Sequence, residues 1–127
     1  MWYICIVRIF KNSWFARFAS KEEIQDSELR EIVSNVLEVD QAEANLGGGV
    51  YKVRVARQGE GKAGGYRVIV FFRSGERTIF RYGFAKSDLG NISKKDLKFM
   101  KKLAKEYFAY SDEQLNKQLA NGDLFEI

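Results

Sequence analysis

The sequence predicts an α+β protein in which a β-meander is flanked along the chain by helices. Three observations carry that expectation. Between Val50 and Phe84 three runs rich in Val, Ile, Tyr and Phe are separated by glycine-containing turns. Ahead of them, Leu29, Ile32, Val33, Val36 and Leu37 recur at the spacing of one helix face. Behind them, Leu97, Met100, Leu103, Ala104, Tyr107 and Phe108 do the same. At 127 residues and 46% hydrophobic content, the chain is long enough to bury one core without disulfides or metal, and residues 1–127 are expected to form a single domain.

Taken in order, Met1 to Phe10 reads as a buried strand because Ile, Val, Trp and Tyr dominate it. It has no basic leader or small-residue cleavage site, and Arg8 interrupts it, so it is not read as a signal peptide or a membrane span. Cys5, the single cysteine, reads as a packing thiol, which suits a reducing cytoplasm. Asn12 or Ser13 caps a short helix whose Trp14, Phe15 and Phe18 form a core-facing aromatic stripe, and Ser20 with Glu23 predicts a further capped turn or a renewed helix. The Leu29–Leu37 helix has an acidic outer face and gives way to Gly47-Gly48-Gly49, a turn.

The meander follows as strands over Val50 to about Ala56, Tyr66 to Arg73 and Arg77 to Phe84, joined by a flexible glycine-rich loop from Gln58 to Gly65 and a tight Ser74-Gly75-Glu76 turn. Ser93 and Asp96 open the long C-terminal helix, whose lysines from Lys94 to Lys105 read as a solvated face with an auxiliary phosphate-contacting role as the alternative. Ser111 with Gln114 caps a last helix ending at Gly122, and Leu124 to Ile127 forms either a short strand or a docking peptide.

The chain has no histidine, which excludes imidazole catalysis, His-dependent nucleophile systems and the usual zinc sites. Neither metal nor cofactor is implied. Its charge is unevenly spread: Gly47 to Ser87 holds nine Lys or Arg against Glu60 and Glu76, although the whole chain is only +4. A basic sheet in an otherwise acidic chain is the footprint of a protein that meets phosphates. Lys62 lies in a glycine-rich run, but Ala63 and a strand follow where a P-loop needs Ser or Thr and a helix. It sits either at a mobile hairpin tip or against an RNA phosphate.

Lys52, Arg54 and Arg67 form the stronger constellation, because neighbouring antiparallel strands can bring all three to one scissile phosphate. There they would serve RNA cleavage by the 2′-hydroxyl: arginines stay charged and stabilise the phosphate, while a lysine among arginines can act as base. By residue pattern alone, such a cluster is a binding surface before it is an active site.

The run from Leu46 to Phe72, LGGGVYKVRVARQGEGKAGGYRVIVFF, followed by Tyr82-Gly83-Phe84-Ala85-Lys86-Ser87 and the Leu97–Phe108 helix, resembles the toxins of bacterial RelE/HigB-type toxin–antitoxin modules. The resemblance implies a RelE-like fold: an N-terminal strand, a helical hairpin, a three-stranded antiparallel meander and C-terminal helices. It implies a cytoplasmic, ribosome-dependent endoribonuclease that cleaves messenger RNA and is silenced by a cognate antitoxin. Lys52 and Arg54 match the family's paired basic residues, Arg67 the arginine opening the next strand, and Lys86 the lysine ending the last one. Arg57, Lys62, Tyr82 and Lys86 are then candidate RNA contacts beside the catalytic set Lys52, Arg54 and Arg67. Ser87 stands where that pattern has an arginine, and the C-terminal stacking tyrosine has no counterpart, so Tyr82 is the candidate to take over stacking. The same fold carries ParE-type gyrase inhibitors, so a non-enzymatic inhibitor is the alternative reading, followed by a plain RNA-binding module.

Overall fold

The computed structural model describes residues 8–57, 61–85 and 92–127, without the side chains of residue 57 and residues 61–64. The expectations for Met1–Val7, including Cys5, lie outside the described residues. Strand β1 (Arg8–Asn12) runs into helix α1 (Ser13–Lys21), where Asn12 Oδ1 accepts the Phe15 N–H at 2.7 Å as the N-cap. Ser20 caps neither a further turn nor a renewed helix: α1 continues through it, and Glu23 takes a left-handed φ of 57°. The reason is a helix-ending turn in which Ile24 N–H reaches Ala19 O at 2.8 Å and brings Ile24 into the core. Helix α2 (Asp26–Ile32) continues into a wider π-type turn (Val33–Leu37), and together they bury Leu29, Ile32, Val33 and Leu37.

The expected meander is the centre of a six-stranded sheet in the order β2-β3-β4-β5-β1-β6. It consists of β3 (Val50–Arg57), β4 (Gly61–Arg73) and β5 (Arg77–Ala85), paired antiparallel. On one side it gains β2 (Ala44–Gly47), a strand absent from the sequence expectation. On the other side β1 lies parallel to β5, and β6 (Leu124–Glu126) closes the edge antiparallel to β1. The tail is therefore a strand, locked by Arg8, which donates to both Glu126 carboxylate oxygens at 2.9 and 3.0 Å and reaches Asp112 at 3.3 Å. The glycine-rich loop is shorter than expected, because β4 already begins at Gly61 and extends the hairpin from Arg57.

Alternation along the strands sends side chains to two cores. One lies under α1 and α2, built on Phe15, Leu29, Val53, Val68, Val70 and Phe80. The second lies under α3 (Lys94–Ala109) and α4 (Asp112–Ala120), built on Val50, Ile69, Phe71, Ile79, Phe108 and Leu115. Ser93 and Ser111 cap these helices as their sequence signals require. The close seating of α3 depends on Gly49, which has φ 83°, and a Cβ there would stand 2.6 Å from the Phe108 ring. The preceding Gly47 and Gly48 lie against the Lys101 side chain in the same way.

Candidate functional site

Val50, Lys52 and Arg54 alternate on β3, and Arg54 stands directly opposite Arg67 on β4. The covered end of this face is apolar, with Val50 and Phe71 facing each other. The other end carries the three cations, and one carboxylate gathers them. Glu43, immediately before β2, takes Arg54 Nε at 2.7 Å, Arg67 Nε at 2.7 Å and Lys52 Nζ at 3.5 Å. It is brought there by β2–β3 pairing, which sets Ala44 opposite Lys52. The expected convergence of Lys52, Arg54 and Arg67 is thus observed, but around an internal anion.

Burial differs within the cluster. The Arg67 side chain is 7% exposed and the Arg54 side chain 52%, so one guanidinium forms the floor and the other the rim. Arg67 Nη1 is buried and has no hydrogen-bond partner among the described residues. That donor is left over after Nε has bonded Glu43, and an incoming oxygen acceptor would satisfy it. Burial works to raise the Glu43 pKa, yet the hydrogen bond from Arg54 and the charges of Arg67, Lys52 and Arg54 outweigh it and hold the carboxyl below the usual carboxylate range. An ionised carboxylate held by three cations makes this end of the sheet a place where an oxyanion is bound.

The remaining candidates divide. Tyr82 pairs with Ile69 on the neighbouring strand and is half-buried, with its ring stacked on Trp14 at 4.3 Å, which leaves at most the opposite ring face for a base. Arg57 ends β3 and Lys62 lies near the start of β4, but their side chains, like Lys86 altogether, lie outside the described residues. Other cations of the basic segment have structural work. Arg77 Nη1 donates to the Tyr107 and Tyr110 carbonyls at 2.9 and 2.8 Å, at the C-terminal end of α3. Arg73 lies over the Phe108 ring at 4.4 Å. The segment's charge is therefore not one free patch. Glu43 is the residue that sequence reasoning missed: it sits between helix and glycine turn in a run with no periodicity, and only strand pairing reveals its role.

A small α+β protein whose sheet gathers three cations on one carboxylate is the class that the structure defines. The family model describing the RelE toxin of the RelE/RelB toxin–antitoxin system matches residues 7–127, and the chain belongs to that family. Membership makes it a toxin of a toxin–antitoxin module, with an antitoxin as partner. No curated protein matches the chain. Among the described residues, no helix is long and apolar enough to cross a membrane.

Proposed function

We propose that residues 1–127 form a single toxin domain that cuts messenger RNA on the ribosome in the cytoplasm, as a metal-independent endoribonuclease silenced by its antitoxin. The observation that supports this reading is the convergence of Lys52, Arg54 and Arg67 on one carboxylate. In the reaction a phosphate replaces Glu43 between the arginines. The 2′-oxygen bonds to phosphorus as the bond to the 5′-oxygen breaks, giving a 2′,3′-cyclic phosphate and a 5′-hydroxyl. Arg67 and Arg54 neutralise the charge growing on the non-bridging oxygens, a role suited to groups that stay protonated. The 2′-hydroxyl proton passes to the Lys52–Glu43 pair, and the leaving oxygen takes a proton from solvent.

Arg57, Lys62, Tyr82 and Lys86 complete the proposal as contacts to flanking RNA. With no imidazole in the chain, the isolated protein is expected to cut free RNA poorly and to rely on ribosomal RNA to orient the message. Primer extension on a translated message, with parent and Arg67→Ala protein compared at equal ribosome occupancy, tests this. Cleavage by the parent and its loss in the variant are the expected result. Growth inhibition by both proteins with no message cut would replace the nuclease by an inhibitor of the gyrase-directed kind.

A further inference from the structure

Helix α3 carries a second concentration of charge that the cleavage cluster does not use. Lys94, Lys95, Lys98, Lys101, Lys102 and Lys105 oppose only Asp96 and Glu106. All six lysines are exposed, and among the described residues none has a carboxylate within ion-pairing distance. In their midst Phe99 is 58% exposed. The core has no use for it, because α3 already packs through Leu97, Met100, Leu103, Ala104 and Phe108. Lys95, Lys98, Phe99, Lys102 and Lys105 recur at three- and four-residue spacings and so share one side of the helix. Lys101 joins this ridge to the sheet, since its chain lies against Gly47 and Gly48, in the hairpin whose β3 strand carries Lys52 and Arg54.

We propose that this face of α3 is a second RNA contact, gripping the phosphate backbone through its lysines and stacking one unpaired base on Phe99. Lysines without arginine forks are point charges that suit any phosphate and read no sequence. An exposed aromatic flanked by cations is the platform on which single-stranded bases stack. The inference rests on the reading of this toxin as a protein that acts on RNA, and it adds a contact that the cleavage cluster does not supply.

The test is fluorescence anisotropy of a labelled oligouridylate across a salt series, in Arg67→Ala protein so that the probe is not cut. Replacing Lys98 and Lys102 by Ala should reduce the slope of log affinity against log salt by about 1.4, at ~0.7 per phosphate contact on a single strand. Phe99→Ala should weaken binding about tenfold, and Phe99→Trp should restore it. A blunt RNA duplex, whose bases cannot stack on the ring, should respond to the lysines and not to Phe99. An unchanged salt slope, or equal binding by the Phe99→Ala and Phe99→Trp proteins, overturns the proposal. So does an effect confined to competition by poly(L-glutamate), which would make α3 a docking face for an acidic protein. Message cleavage by the parent is scored separately: cleavage with an unchanged slope defeats this inference alone, and a lowered slope without cleavage defeats the nuclease reading alone.

Discussion

Two basic regions of this toxin, the sheet cluster and the α3 ridge, solve the problem of like charges in opposite ways. On the sheet, Arg67 is nearly buried and Arg54 stands directly across from it, an arrangement that repulsion and desolvation would oppose without the Glu43 carboxylate between them. On α3 the lysines remain in water, spread along a helix, and need no counter-ion because solvent and salt screen them. The difference teaches that preorganised charge has to be held by structure, whereas adhesive charge does not. A cluster fixed in geometry can stabilise a transition state; a flexible ridge can only raise affinity.

The sharpest way to break this contrast is Arg67→Ala, expected to lower message cleavage by ~100-fold or more while ribosome binding, followed by co-sedimentation, changes little. A comparable loss of binding would mean that both regions merely adhere. Arg67→Lys, which keeps the charge and loses the fork, should recover only part of the rate.

Glu43→Gln sharpens the contrast from the other side. Removing the anion leaves buried Arg67 without its partner, so denaturant unfolding should show a loss of about 2 kcal/mol, in the range of hydrogen bonds to charged groups. Affinity for an oligonucleotide should rise about tenfold, because the phosphate no longer competes with an internal carboxylate. Cleavage retained within about tenfold assigns the 2′-hydroxyl proton to Lys52; a loss as deep as that of Arg67→Ala assigns it to Glu43.

Acid should act through the same group. Both Glu43 and Glu126 have folded-state pKa values below those of ordinary carboxylates, Glu43 through its cations against the opposing effect of burial, Glu126 through the Arg8 hydrogen bond. Their stabilisation is complete above the unfolded value and is lost as pH falls through the folded one, so thermal stability should decline below about pH 4. Part of that decline should disappear in the Glu43→Gln protein. The smallest expected effect is on α3: Lys98→Ala and Lys102→Ala should leave unfolding free energy within about 0.5 kcal/mol, since both side chains are exposed and neither has an ion-pair partner among the described residues.

Much of this architecture was legible without coordinates where the signal was local. Asn12, Ser93 and Ser111 announce helix starts because a short polar side chain satisfies free backbone N–H groups two or three residues on. Period-two alternation from Val50 to Arg54 placed Lys52 and Arg54 on one face, and the Ser74–Glu76 turn returned β5 beside β4. Ser20 misled because the same residue pattern serves a helix interior when a left-handed Glu23 follows it. The charge of the basic segment misled for a different reason. Arg73 and Arg77 have the composition of a binding surface but are spent on the Phe108 ring and on the end of α3.

The sequence by itself determined the order of the helices and of the three meander strands and the identity of the three clustered cations, because periodicity and capping depend on near neighbours in the chain; that both faces of the sheet are buried came only from the structure. Tertiary structure alone decided that β1 enters between β5 and β6, that β2 joins the sheet, and that Glu43 meets Arg54 and Arg67. The β2–β3 pairing is a local hairpin, Ala44 lying opposite Lys52, but the contacts of Glu43 with the arginines and of β1 with β6 join residues 11 to more than 100 positions apart. No local propensity encodes them; the burial of two cores fixes the strand order, and the strand order then carries one carboxylate to the cations.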